Sequence, residues 1–95
     1  MFVVVSYDVV NDKRRTKICE TLKGFGSHVQ YSVFECNLKA DDFKRLRQKL
    51  KPLIKVGEDQ IRYYFLCENC VERAIVDGRG GLTKELPFKI VKERQ

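Results

Sequence analysis

Several features are scarce or missing in this 95-residue chain, and each absence excludes a class of protein. No apolar stretch approaches the ~18 residues that a membrane-spanning helix needs, so we expect no membrane segment. No internal repeat or low-complexity segment occurs, and a hydrophobic share of 43% suffices for one core, which excludes a disordered tail. Histidine occurs once, at His28. No Cys–His or Ser–His–Asp set therefore competes for catalysis.

The N-terminal run, residues 1–8, is apolar but does not resemble a signal peptide. It lacks a basic segment and a cleavage site, and an acid interrupts it at position 8. We expect a buried strand there and a cytoplasmic protein. A chain this small buries roughly 60–65% of its unfolded surface, which leaves it marginal alone and favours oligomerisation.

The cysteines lie at positions 19, 36, 67 and 70. Cys67 and Cys70 have the spacing of half a zinc site, but no second CxxC or CxxH completes it. The pair follows one strand-like run and precedes another, whereas a redox pair is expected at the start of a helix. Reduced, partly buried thiols are the favoured interpretation, and a zinc site or a disulfide is the alternative.

Hydrophobic periodicity predicts an α+β domain. The predicted order is strand, helix, strand, helix, strand, strand and a short last strand. The strands are expected at residues 2–7, 29–36, 59–67, 72–77 and 88–91, the first helix after Asn11 or Asp12, and the second helix from Asp41 and Asp42. Two βαβ units sharing one sheet would put both helices on one face, and a second copy of the chain would cover the other. We assign residues 1–78 to the core and 79–95 to a loop, short strand and tail of the same domain.

The positive charge is concentrated on the two predicted helices. The net charge of +6 comes from +3 in residues 11–25 and +5 in residues 39–55, against −2 elsewhere. A solvated helix surface explains either excess alone. Two basic helices on one side of a sheet favour a polyanionic partner, contacted through its phosphates rather than its bases.

Asp8 is the acid that the apolar pattern does not explain. It ends the first predicted strand, just before the turn into a basic helix. A carboxylate there is costly unless it is paired, hydrogen-bonded or bound to a metal. It could cap the next helix or pair with Arg15, or it could ligate a hard cation. One carboxylate is a poor Mg²⁺ site, but a two-fold dimer would bring a second Asp8 to share the ion.

Three segments in this order resemble one family, over roughly residues 2–91. They are VSYDVVNDKRRTK at 5–17, LKGFG at 22–26 and QYSVFE at 30–35. The chain resembles the small CRISPR-associated adaptation endonucleases, the second of the two universal CRISPR-associated proteins. The resemblance implies a ferredoxin-like βαββαβ sandwich with an extra C-terminal strand. It also implies a sheet-to-sheet homodimer and a partner integrase.

For the site, the resemblance implies metal-dependent cleavage of single-stranded RNA or double-stranded DNA. The metal-binding and catalytic aspartate of the family falls on Asp8, with one Mg²⁺ or Mn²⁺ ion shared by the two Asp8 side chains of the dimer. The residues expected to bind nucleic acid and shape the site are Tyr7, Arg14, Arg15, Lys17, Ser32 and Phe34. His28 and Lys17 stand where some relatives have arginine.

The leading hypothesis is therefore a metal-dependent phosphodiesterase of CRISPR adaptation. The rival is a non-catalytic dimer that holds duplex DNA between integrase subunits, and a single carboxylate per chain weighs towards it. A third hypothesis is a basic ferredoxin-like domain that binds no nucleic acid.

Overall fold

The computed structural model describes residues 1–78 and contains four strands, three α-helices and a short 3-10 helix. In chain order they are β1 (Phe2–Asp8), α1 (Asp12–Lys23), β2 (Gly26–Gln30), β3 (Val33–Asn37), α2 (Ala40–Leu50), the 3-10 helix (Lys51–Leu53), β4 (Gln60–Leu66) and α3 (Glu68–Glu72). Four of the predicted elements are confirmed as β1, α1, α2 and β4. Pro52 ends α2, since the chain continues as the 3-10 helix.

The strands form one antiparallel sheet in the order β2-β3-β1-β4. With α1 between β1 and β2 and α2 between β3 and β4, the chain follows the βαββαβ order. This confirms the α+β, ferredoxin-like class. No helix within residues 1–78 is long and apolar enough to cross a membrane.

One face of the sheet carries the core, because alternate residues of β1 point towards α1 and α2. The core cluster joins Val3, Val5, Tyr7, Phe34 and Cys36 of the sheet to Ile18 and Leu22 of α1 and Leu46 and Leu50 of α2. The other face carries the strand residues that alternate with these, such as half-buried Val4 and Ser6 and exposed Tyr64. Neither α1 nor α2 covers that face.

The strand predicted at residues 29–36 is wrong, since this stretch is a hairpin of two strands. Gln30 pairs with Val33, so Tyr31 and Ser32 form a two-residue connection. Hairpin turns of this length usually contain Gly, Asn or Asp, and this one contains none of them. The register shift between His28 and Gln30 is a bulge that accompanies the turn. Phe34 and Cys36 point into the core.

The strand predicted at residues 72–77 is also wrong, because the chain forms α3 instead and then continues without regular structure to residue 77. Val71 is its only buried residue, so the short helix shows no periodicity in the sequence. The strand predicted at 88–91 lies outside the described residues, as do most of the glycine loop at 78–81 and the tail.

Candidate active site at the end of the first strand

Asp8 is the last residue of β1 and lies opposite Gln60, the first residue of β4. Its side chain is exposed and forms no hydrogen bond or ion pair with any residue from 1 to 78. Within residues 1–78, Asp8 therefore neither caps the next helix nor pairs with Arg15, the two contacts that the sequence left open. Asn11 caps α1, since its Oδ1 accepts from the Arg14 N–H at 3.0 Å. Arg15 pairs with Asp12 instead.

Arg15 nevertheless contacts the backbone directly after Asp8. Its Nη1 donates to the carbonyl oxygen of Val9, the residue after Asp8, at 2.9 Å. Its other contact, with Asp12, joins two partly or largely exposed side chains. Exposed pairs of this kind contribute little to stability, so a phosphate could replace Asp12 as the partner of Arg15.

Arg14 has a different environment, because it is bound to an acid with no exposed side-chain surface. Its Nε donates to Asp59 Oδ2 at 2.7 Å and its Nη2 to Asp59 Oδ1 and to Glu58, both at 3.2 Å. Asp59 also accepts from the backbone N–H groups of Val10 at 3.1 Å and Lys55 at 2.8 Å. Removing Arg14 from this cluster would leave a buried carboxylate unpaired.

The Arg14 guanidinium is the main cause of a low pKa at Asp59, about 2 against an ordinary 3.8. Asp59 therefore stays ionised at neutral pH and ties the loop before β4 to the loop after β1. Asp59 was absent from the sequence-level candidates. Asp59 comes directly before β4, and its partner Arg14 is 45 residues away in the sequence.

Tyr7 and Phe34, expected to bind nucleic acid, lie in the core with exposures of 4% and 0%. Their ring centroids are 6.3 Å apart, and His28 stacks on the other side of Phe34 at 4.5 Å. Burial, together with a hydrogen bond to Cys19, raises the pKa of the Tyr7 hydroxyl to about 12. From these positions the two rings support the end of the sheet beneath Asp8.

The other two expected residues, Ser32 and Lys17, lie outside the core. The Ser32 carbonyl oxygen accepts from the Tyr7 N–H at 3.0 Å, which extends the β1–β3 pairing into the hairpin turn. Lys17 is exposed on α1. Of the six residues expected near nucleic acid, Arg15, Lys17 and Ser32 can therefore reach a ligand without disturbing the core or the Asp59 cluster.

The helix side of the sheet presents additional positive charge. The guanidiniums of Arg45 and Arg47 lie 5.6 Å from the ring centroids of Phe25 and Tyr63, respectively. Arg45 also pairs with Asp42 at 3.1 Å. Cation–π contacts hold the two arginines on the surface while leaving their charge available to a polyanion.

A hard cation fits Asp8 only as part of a composite site. Within residues 1–78 no group of three or more His, Cys, Asp or Glu side chains could hold a metal ion. Asp8 still has the right donor, a carboxylate that is exposed and without a partner in this range. Because Mg²⁺ is often held by one or two carboxylates with water and substrate phosphate completing the shell, the donor set is compatible with the ion.

Cys67 and Cys70 lie at the start of α3 and not between two strands, so the position that argued against a redox pair is wrong. Cys67 is the residue before the helix and makes no side-chain capping bond, Cys70 is the third residue of the helix, and both are exposed. Hydrogen bonds from Cys70 lower the pKa of the Cys67 thiol. Burial raises the pKa of Cys36 to about 11. All four thiols are free; Cys36 is buried and Cys19 half-buried, whereas Cys67 and Cys70 are exposed rather than partly buried as expected.

Comparisons with known proteins converge on one family. A family model described as CRISPR associated protein Cas2 matches residues 1–74. The chain is 45% identical over 85 residues to the CRISPR-associated endoribonuclease Cas2 3 of Chloroflexus aurantiacus, covering 90% of this chain and 91% of that protein. Its structure resembles the crystal structure of Streptococcus pyogenes Cas2, with a TM-score of 0.73 and 32% identity over 82% of this chain and 100% of the other. It also resembles a hypothetical protein from Thermus thermophilus, with a TM-score of 0.76 and 35% identity over 87% and 96% of the two chains.

Proposed function

Because this chain belongs to the CRISPR-associated protein Cas2 family, we propose that it acts in CRISPR adaptation as a metal-dependent endonuclease. Its substrates are single-stranded RNA, double-stranded DNA or both. The relative from Chloroflexus aurantiacus is named an endoribonuclease. The observation that carries the proposal is the exposed Asp8 carboxylate, which has no partner among residues 1–78 and lies beside Arg15.

Asp8 would hold one Mg²⁺ or Mn²⁺ ion together with Asp8 of a second copy. When bound, such an ion neutralises charge on the phosphodiester and lowers the pKa of a water molecule. Arg15 would bind a neighbouring phosphate, exchanging its exposed partner Asp12 for the ligand, and Lys17 would add a second cation. Arg14 would keep the two loops in place through Asp59, and Tyr7 and Phe34 would support β1 and β3 from below.

The second copy would pack on the sheet face that α1 and α2 leave uncovered. That face carries half-buried Val4 and Ser6 and exposed Tyr64. A domain of 95 residues gains stability from burying such a surface. Static light scattering should give about twice 11.1 kDa. A monomer at micromolar concentration would eliminate the shared ion. We also place the protein in the cytoplasm, where its four thiols would stay reduced, with the CRISPR integrase as its partner.

The test compares wild type with Asp8→Asn, which removes the charge and keeps the side-chain volume. Asp41→Asn is the matched control, because Asp41 is an exposed acid at the start of α2, at the other end of the sheet. Cleavage of single-stranded RNA and duplex DNA is followed with Mg²⁺, with Mn²⁺ and with EDTA. We expect metal-dependent cleavage by wild type and Asp41→Asn and none by Asp8→Asn. Equal cleavage by all three proteins would refute the role of Asp8.

A second candidate function is a DNA-binding scaffold that bridges integrase subunits without cleaving. It is favoured by the single carboxylate at the site and by the basic surfaces of α1 and α2. In this case neither wild type nor Asp8→Asn would cleave, and both would bind duplex DNA with affinity that falls steeply as salt rises.

A further inference from the structure

Three loops meet at the end of the sheet where Asp8 lies, and each exposes a large apolar side chain. They are the loop from β1 to α1, the β2–β3 turn and the loop before β4, and they share this end because β1 is antiparallel to β3 and β4. The exposed residues are Val10 at 68%, Tyr31 at 90% and Val56 at 91%. Apolar side chains gathered around a polar centre indicate a binding surface.

Tyr31 has the most defined position of the three. Ser6 pairs with Val33, and the bond from the Tyr7 N–H to the Ser32 carbonyl continues this register. Tyr31 is the next residue of the turn and lies at the same end of the sheet as Asp8. His28 Nε2 donates to the Tyr31 carbonyl oxygen at 2.6 Å, so the backbone is held while the ring stays in solvent. Because the sequence neighbours of Tyr31 and Asp8, Ser32 and Tyr7, are bonded backbone to backbone, the turn adjoins the end of β1.

We propose that Tyr31 is a stacking platform for one unpaired nucleobase, which holds single-stranded nucleic acid with its backbone at Asp8. The proposal rests on the function proposed above and names the form of substrate that the site selects. An aromatic ring stacks on any base whose face is free, and in a duplex these faces are covered by the adjacent base pairs. An exposed aromatic ring at the same end of the sheet as Asp8 therefore favours single strands over duplex.

Charge near the ring supports a nucleic-acid ligand over a protein. Arg15 donates to the carbonyl oxygen of Val9 and so supplies a cation at the same end of the sheet as Tyr31. A phosphate backbone with a base attached satisfies both the cation and the ring. Val10 and Val56 would contact the sugar or the edge of the base, where no specific hydrogen bond is needed.

A fluorescent variant tests the stacking directly. The chain contains no tryptophan, so Tyr31→Trp introduces a single reporter. Gln48→Trp on α2, at another exposed position, is the matched control. A uridine decamer should quench Tyr31→Trp, whereas the same decamer with abasic residues and a blunt DNA duplex should not. No probe should quench Gln48→Trp to the same extent. Equal quenching by the decamer and the abasic strand, or none by either, would overturn the proposal.

Affinity measurements separate this proposal from the cleavage hypothesis. They are made in EDTA with wild type, Tyr31→Ser and Tyr31→Phe. Loss of one stacked base should weaken decamer binding by Tyr31→Ser about 5- to 150-fold, while Tyr31→Phe binds as wild type. If wild type cleaves nothing but Tyr31→Ser still loses affinity, the endonuclease fails and the platform stands. If Tyr31→Ser binds the decamer normally but loses the integrase, the surface docks a protein and the platform is refuted.

Discussion

Truncation of Phe34 distinguishes a core residue from a nucleic-acid contact. Phe34 has no exposed surface and lies between Tyr7 and His28. Replacing a buried Phe by Ala costs about 3–5 kcal/mol, and the loss of two aromatic neighbours favours the upper half of this range. A chain of 95 residues has a free energy of unfolding of about 5–14 kcal/mol. Phe34→Ala should therefore remove at least about a quarter of the stability.

The assay is urea unfolding at one fixed protein concentration, because self-association would add to the measured stability. Each kcal/mol corresponds to about 4–8 °C in Tm for a domain of this size, so Phe34→Ala should lower Tm by at least about 12 °C. Phe65→Ala is the control, since Phe65 is also an aromatic residue of the sheet but is more than half exposed. It should lose less than half as much stability as Phe34→Ala.

Phe34→Leu completes the experiment, because it keeps most of the apolar volume. It should bind single-stranded RNA and duplex DNA with wild-type affinity. A Phe34→Leu variant that unfolds like wild type but binds nucleic acid tenfold more weakly would refute the assignment of Phe34 to the core alone.

Three further outcomes follow from close packing and from the titrating groups. Gly26→Ala should unfold at clearly lower urea than wild type, because an added Cβ would lie 2.5 Å from both the Cys36 Sγ and the Glu35 carbonyl oxygen; unchanged stability would contradict that packing. Asp59 has a pKa of about 2 when folded and 3.8 ordinarily, so its contribution is complete above about pH 4 and is lost as the pH falls towards 2. Acid titration of unfolding should show this loss in wild type and not in Asp59→Asn. In native protein at neutral pH, mass-mapped alkylation should modify Cys67 first and Cys36 last, because the Cys67 pKa is lowered and Cys36 is buried; the reverse order would show that α3 does not form.

The long periodic segments of the fold could be predicted from the sequence, and the short ones could not. β1, α1, α2 and β4 each repeat an apolar spacing over seven or more residues. The β2–β3 turn has no such signal, because its residues Tyr31 and Ser32 are compatible with a continuous strand. We therefore predicted a single strand over residues 29–36. Its residues were assigned to the two faces of the sheet without the bulge between His28 and Gln30. The five-residue α3 depends on tertiary contact with β4.

The site shows the same division between local and long-range information. Asp8 could be found because an acid at the end of an apolar run has a local cost. Asp59 could not, because its importance comes from Arg14 and from the Val10 N–H, both at least 45 residues away in sequence. Tyr7 and Phe34 were expected at the ligand through their motifs, but both point towards the helices.

The pairing of the neighbouring arginines explains how Asp8 remains available to a cation. Arg14 is occupied by Asp59 and Glu58, and Arg15 by Asp12 and the Val9 carbonyl oxygen. These two arginines are thus each bound to another acid, and the loops are fixed by those bonds. The Asp8 carboxylate lies at the exposed end of β1 without a partner among residues 1–78. A divalent ion or a substrate-bound cation can then bind without first breaking an internal ion pair.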